Sequence, residues 1–194
     1  MDIEIRNLSK SYNGKKVLDN VSCRFKEGSI TLVMAPSGQG KTTLLRILMG
    51  LEEADSGEID GLDGRKMGAV FQEDRLCRNL SPVSNIRLVC RKNITKTEII
   101  EAMDAVGIAG CASQPVRELS GGMCRRVAIL RALLSDSSIL LMDEPFKGLD
   151  RETKLIVMDY TKSKYNGRTV ILVTHDEAEA LYMAGEDSGR ICRI

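Results

Sequence analysis

Two clusters of residues in this chain have the types and spacing to handle a phosphate chain. The first is Ala35-Pro36-Ser37-Gly38-Gln39-Gly40-Lys41-Thr42, followed by Thr43. It nearly matches G-x-x-x-x-G-K-[ST], whose small residues let the backbone curl until several N–H groups point at phosphate oxygens. Lys41 offers a point charge to the β and γ phosphates, and the Thr42 hydroxyl is suited to ligate Mg2+. One position departs. Where the pattern has its first glycine this chain has Ala35, which resists a positive φ, so the loop requires an ordinary backbone conformation there. The second cluster is Asp143-Glu144, closing the apolar run Ile139-Leu140-Leu141-Met142. Asp143 is suited to hold Mg2+ through water, and Glu144 to polarise an attacking water.

Positioning these groups needs strands that end where loops and helices begin. Ile30 to Met34 is a short apolar run suited to a strand buried on both faces, and it leads straight into the phosphate loop. A helix from Lys41 to about Met49 aims its positive dipole end at that loop, and Gly50 is its stop. Met67 to Phe71, Ile139 to Met142 and Thr169 to Val173 read as further strands. Residues 1–30 read as strands broken by turns, with one turn near Ile3, Ile5 and Leu8 and a tight reversal at Asn13-Gly14. After Phe71 the pattern becomes helical. Ser81-Pro82 is a helix start. Thr95 to Glu98 has capping-box spacing, with Ile99, Met103 and Val106 following at i, i+4 and i+7 until Gly107. Gly121 to Leu134 is a helix with an apolar face of Met123, Val127, Leu130 and Leu134, and another helix starts near Asp150, a good N-cap. Strands alternating with helices indicate an α/β sheet with parallel strands.

Composition narrows the field. The 194 residues suit one domain able to bury its own core. A net charge of +1 gives no bulk pull toward nucleic acid or a membrane surface. No apolar run approaches the roughly 18 residues that a membrane span needs, and the first residues are unlike a signal peptide. The six cysteines include no C-x-x-C pair, and with a single histidine a Cys/His zinc site is not expected. They read as free thiols of a reducing compartment.

A third motif decides the family. Leu119-Ser120-Gly121-Gly122-Met123 stands just ahead of the 139–144 strand and looks like the signature L-S-G-G-Q. With the phosphate loop and acidic pair in this order, the chain resembles the ATP-binding cassettes of ABC transporters over essentially its whole length. The resemblance implies an α/β P-loop NTPase fold with an ABC-type antiparallel β subdomain and an inserted helical subdomain. That is a single domain over 1–194, with a catalytic lobe from 1–71 and 136–194 and a helical lobe over 72–135. Tyr12 matches the aromatic that stacks on adenine. Gln72, in Phe71-Gln72-Glu73-Asp74, matches the glutamine that contacts Mg2+ and the attacking water. Ser120, Gly121 and Gly122 match groups that reach the γ-phosphate held by the opposite subunit. Asp150 matches the loop that couples the two sites. His175, the one histidine, matches the switch residue that touches the γ-phosphate. Met123 departs from the signature's glutamine and cannot make its side-chain hydrogen bond, a variation that related import-type cassettes carry.

The resemblance implies a subunit that binds and hydrolyses ATP with Mg2+ and dimerises head-to-tail with a second ABC subunit. The helical lobe would dock an integral membrane permease, with a substrate-binding protein as a further partner. The chain would then lie in the cytoplasm, peripheral on the inner face of the membrane. Phe71 to Leu76 resembles importers of the nitrate, sulfonate and taurine group, without the C-terminal regulatory extension that some importer subunits carry. Two other classes compete. A non-transport ABC ATPase acting on nucleic acid or ribosomes would bring a long coiled coil or two cassettes, and no sustained heptads appear. A regulatory nucleotide-binding module without turnover is at odds with intact Glu144 and His175.

Overall fold

The computed structural model describes residues 1–35, 38–185 and 191–194. Of the phosphate loop, Pro36 and Ser37 lie outside the described residues. The elements form two sheets. β1 (Ile3–Tyr12) and β2 (Lys15–Phe25) make an antiparallel hairpin around Asn13-Gly14. Both turn residues have positive φ, 50° and 77°, as the tightest hairpin turns require. The turn expected near Leu8 is absent. β1 runs through that region as one strand, with a register shift between Ile5 and Leu8 and Asn7 at φ 52°, so a bulge absorbs the break in pattern. β4 (Ser56–Asp60) covers the other edge of β1. It was not legible in sequence because it is almost wholly exposed and carries no apolar alternation.

The second sheet is parallel and five-stranded: β5 (Met67–Val70), β6 (Ile139–Asp143), β7 (Thr169–Thr174), β3 (Ile30–Met34) and β8 (Ile191–Arg193), in that order. All of β6 and β7 is buried, which explains their continuous apolar sequences. Their side chains alternate between two cores. Ile139, Leu141, Ile171 and Val173 face the hairpin residues Ile3, Ile5 and Phe25 and the helix α1 (Lys41–Leu48). Leu140, Met142, Val170 and Leu172 face the helices on the other side. Those are α4 (Gly121–Leu133), α5 (Arg151–Lys164) and α6 (Glu177–Ala184). α2 (Pro82–Arg87) and α3 (Lys96–Ala105) pack beyond α4. α3 starts with the expected capping box, Thr95 accepting from the Glu98 N–H while the Glu98 carboxylate accepts from the Thr95 N–H. α4 is buried more widely than one apolar face, with Ala128, Ile129, Ala132 and Leu133 joining Val127 and Leu130.

The cysteine expectation needs correction. Cys23 on β2 and Cys192 on β8 are bonded, with Cα atoms 6.4 Å apart, and Cys77, Cys90, Cys111 and Cys124 are free. Their separation of 169 residues in the chain hid the pair. The fold brings the hairpin's second strand beside the edge of the parallel sheet.

Asn85 organises the stretch before α2. It is fully buried, accepts from the Cys77 N–H (2.8 Å) and donates to the carbonyls of Cys77 (3.1 Å) and Ser81 (3.1 Å). Asn85→Ala removes the hydrogen bonds of a fully buried side chain and takes the acceptor from the Cys77 N–H, so the expected loss is about 1–3 kcal/mol. A urea unfolding curve should show a lowered midpoint; an unchanged midpoint would refute the role of Asn85.

Candidate functional site

Parallel strands deliver their carboxyl ends to one edge of the sheet. The register pairs Met34 with Thr174, Asp143 with Val173, and Val70 with Met142. The phosphate loop leaves β3 there, the acidic pair closes β6, His175 follows β7 and Gln72 follows β5. This is the edge where ligands of open α/β sheets bind. A cavity of about 380 Å3 opens at it, lined by Val17, Gly38, Gly40, Lys41, Thr42, Thr43, Gln72, Asp143, Glu144 and Lys147. That volume suits a small-molecule ligand.

The loop's geometry is local. Ala35 is not among the residues with positive φ, so the departure from glycine costs no left-handed strain. Its carbonyl accepts from the Lys41 ammonium at 2.5 Å. Gly40 does need to be glycine. It sits at φ 77° at the head of α1, and a Cβ there would collide with the Val17 carbonyl and the Leu18 side chain. Gly40 has no side chain with which to cap this helix end, and a helix N-terminus is the kind of site that anions take.

Asp143 is 5% exposed, and its Oδ2 accepts from the Thr42 hydroxyl at 2.7 Å. Burial pushes its carboxyl above the ordinary value of 3.8, opposed by the Thr42 hydrogen bond and reinforced by the neighbouring Glu144 charge. Glu144 moves the other way. Burial raises it, but Lys147 and His175 together outweigh burial and hold it below its usual 4.5. Glu144 Oε1 lies 2.8 Å from His175 Nδ1, and Oε2 lies 2.9 Å from the Lys147 ammonium. Oε2 is buried, and the Lys147 ammonium is its one partner among the described residues. An ionised carboxylate can only accept, so His175 Nδ1 carries the proton in this contact. The Glu144 backbone is in the left-handed region, φ 44°. Its N–H donates to the Val173 carbonyl (2.9 Å), and its carbonyl accepts from Arg125. Strain of this kind in a non-glycine residue persists only where the surroundings over-determine it.

Arg125 was not singled out in the sequence. Its guanidinium, on α4 and 4% exposed, donates to the carbonyls of Phe71 (2.5 Å), Asp143 (3.0 Å), Glu144 (2.5 Å) and Pro145 (2.9 Å) and pairs with Asp74 (3.1 Å). The available signal was its spacing, since the helix residues at i+3, i+4 and i+7 are Ala128, Ile129 and Ala132. Lys147 was also missed, and nothing in its sequence neighbourhood marks it.

Other expected residues lie elsewhere. Tyr12 is 39% exposed at the end of β1, with the Lys10 ammonium 5.4 Å from its ring centre. Gln39 is exposed beside the loop. Ser120 caps α4, its hydroxyl accepting from the Met123 N–H at 3.2 Å. Gly121 and Gly122 form the first turn of that helix. Asp150 caps α5 by accepting from the Thr153 N–H at 3.0 Å. None of these lines the cavity within the one chain. The donors that do, a hydroxyl, an amide and carboxylates, are hard oxygen ligands of the kind Mg2+ takes. No group of three His, Cys, Asp or Glu able to hold a metal occurs among the described residues.

The fold and cavity thus define a nucleotide-binding α/β protein. The family model described as ABC transporter matches residues 18–147, and the chain belongs to that family. It is 37% identical to the aliphatic sulfonates import ATP-binding protein SsuB 1 of Pseudomonas savastanoi pv. phaseolicola, over 94% of this chain and 77% of that one. It is also 37% identical to the sulfate/thiosulfate import ATP-binding protein CysA of Rhodopseudomonas palustris, over 100% of this chain and 63% of that one. The same identity holds for the spermidine/putrescine import ATP-binding protein PotA of Spiroplasma citri, over 94% and 57%. The chain therefore spans less than two thirds of CysA and PotA. Among solved structures, a dimeric ATP-binding cassette in a post-hydrolysis state with ADP and Pi superposes with a TM-score of 0.80. It shares 29% identity over 93% of this chain and 91% of that one.

The buried Asp143 gives a signed test. Its folded value is raised, so the native state binds the proton more readily than the unfolded chain, and stability falls as pH rises past the ordinary 3.8. In nucleotide- and metal-free buffer, Asp143→Asn should unfold at the same or a higher temperature than the unmodified chain at pH 7, with the difference vanishing toward pH 3. A lower melting temperature at pH 7 would contradict this.

Proposed function

We propose that this chain binds and hydrolyses ATP as one half of a nucleotide sandwich that powers a membrane permease. The observation that carries the reading is the single cavity where the phosphate loop, the Asp143-Glu144 pair and Gln72 meet. The phosphates lie along the loop from Ala35 to Thr43, against the N-terminal end of α1, with Lys41 turning from the Ala35 carbonyl to their charge. Thr42, Gln72 and Asp143 would hold Mg2+, which would supply positive charge beside the phosphates. The raised state of Asp143 fits a carboxylate awaiting a cation. Glu144 orients and polarises the attacking water. With His175 Nδ1 donating to Glu144, a contact from Nε2 to a phosphate oxygen needs the imidazolium form or a turned ring.

Ser120, Gly121 and Gly122 at the head of α4 act on ATP held by a second cassette, the Asp150 loop lies between the two sites, and Tyr12 stacks on the base. The superposed cassette is dimeric, which supports this arrangement. The catalytic lobe comprises 1–71 and 136–194, and the helical lobe 72–135. Between β5 and the helices, an apolar cleft of about 390 Å3 lined by Met49, Leu51, Phe71, Val89 and Arg131 is where a cytoplasmic helix of the permease would dock. No described helix is long and apolar enough to cross a membrane, so the chain's place on the cytoplasmic face would come through that partner. The import-type names of its relatives favour uptake.

Glu144→Gln keeps the shape of the site but removes the base. Hydrolysis should fall about 10^2- to 10^4-fold while ATP binding is retained and the variant elutes as a dimer when ATP is present. Turnover near that of the unmodified chain would sink the assignment of Glu144.

A further inference from the structure

Lys147 lines the phosphate cavity, yet neither the loop nor the acidic pair accounts for it. It sits on the turn after β6. Phe146, fully buried, anchors one side, and Gly148 at φ 80° redirects the chain on the other. The backbone of this lysine is therefore fixed, while its side chain is 55% exposed at the mouth of the cavity. Its ammonium lies 2.9 Å from Glu144 Oε2. That oxygen is buried and has no other partner among the described residues, while its twin Oε1 is held by His175. The lysine thus covers the one oxygen of Glu144 that faces no other partner among the described residues. An ion pair with one exposed member is weak and readily exchanged.

We propose that Lys147 reads the terminal phosphate. Its ammonium covers Glu144 Oε2 while the site is empty, and moves to the γ-phosphate oxygens of a bound nucleoside triphosphate. This rests on the nucleotide reading of the same cavity. A phosphate terminus carries more charge than one carboxylate and makes strong charge-assisted contacts, so it draws the lysine away. The transfer uncovers Oε2 for a water molecule, with Glu144 still oriented through His175. ADP ends one phosphate short and leaves the lysine on Glu144. The base therefore becomes available only when there is a γ-phosphate to attack. Lys147 is a positioning residue for Glu144 and a ligand for the triphosphate.

The test is equilibrium binding of ATP and of ADP by calorimetry, with a chelator present so that nothing turns over. The unmodified chain is compared with Lys147→Met, Lys147→Ser and Lys147→Arg, with circular dichroism to verify the fold of each. Loss of the ammonium in the Met and Ser variants should weaken ATP roughly tenfold, the worth of one charge-assisted contact, and leave ADP within about twofold. Lys147→Arg should keep the preference for ATP. Equal weakening of ATP and ADP, or no weakening of ATP in the folded Met and Ser variants, overturns the proposal. If the unmodified chain binds neither nucleotide, the nucleotide reading itself fails, and that result is distinct from a failure of Lys147 alone.

Discussion

A guanidinium taken out of water must find an acceptor for each of its protons or it unfolds what surrounds it. Arg125 meets that condition by drawing in backbone carbonyls from two separate stretches, Phe71 after β5 and Asp143 to Pro145 after β6, with Asp74 as counter-charge. The consequence is geometric. These stretches carry Gln72 and Glu144, and the arginine that ties them belongs to the helix whose first turn is Gly121-Gly122. One rigid fork of donors thus joins that helix to both stretches. The left-handed backbone of Glu144 is held in the same grip, between the Val173 carbonyl and the Arg125 guanidinium.

The grip works because the sheet beneath it does not yield. β6 and β7 are buried along their whole length, their side chains divided between two cores. Close-packed interiors transmit displacement rather than absorb it. The parallel register then fixes the carboxyl ends of β3, β5, β6 and β7 side by side. Behind His175, Thr174 donates to Glu179 (2.8 Å) and Asp176 caps α6, so the loop that presents the imidazole is tied from both sides.

What could be read from the chain follows the same division. The buried strands were legible because burial on both faces forces continuous apolar runs at Ile30, Ile139 and Thr169. The phosphate loop and acidic pair were legible because their chemistry dictates residue types at fixed spacing. β4 was not, since an exposed edge strand places almost no demand on side chains. The Cys23–Cys192 pair was not, since only the completed fold brings β2 beside β8. Arg125 and Lys147 escaped because their work is done across the fold, on carbonyls and on a carboxylate, and only the apolar spacing after Arg125 hinted at the burial of one of them. The two departures from motif fit the local structure. Ala35 adopts an ordinary backbone, and Met123 is partly buried against the core while its N–H serves the Ser120 cap.

The electrostatics of the acidic pair separate its two members without appeal to any relative. Asp143 and Glu144 are adjacent in sequence, yet their surroundings drive them apart. Asp143 has a hydroxyl for company and is pushed up by burial. Glu144 overcomes its burial because an ammonium and an imidazole flank it. Neighbouring carboxyls with opposed environments take different roles. The one whose burial outweighs its positive neighbours, Arg125 and Lys41, gains most from a cation placed beside it, and the one whose positive neighbours outweigh burial stays ionised and able to accept. On these grounds Asp143 suits a metal and Glu144 suits a water molecule, and the cavity that both line sets the distance over which the two must cooperate.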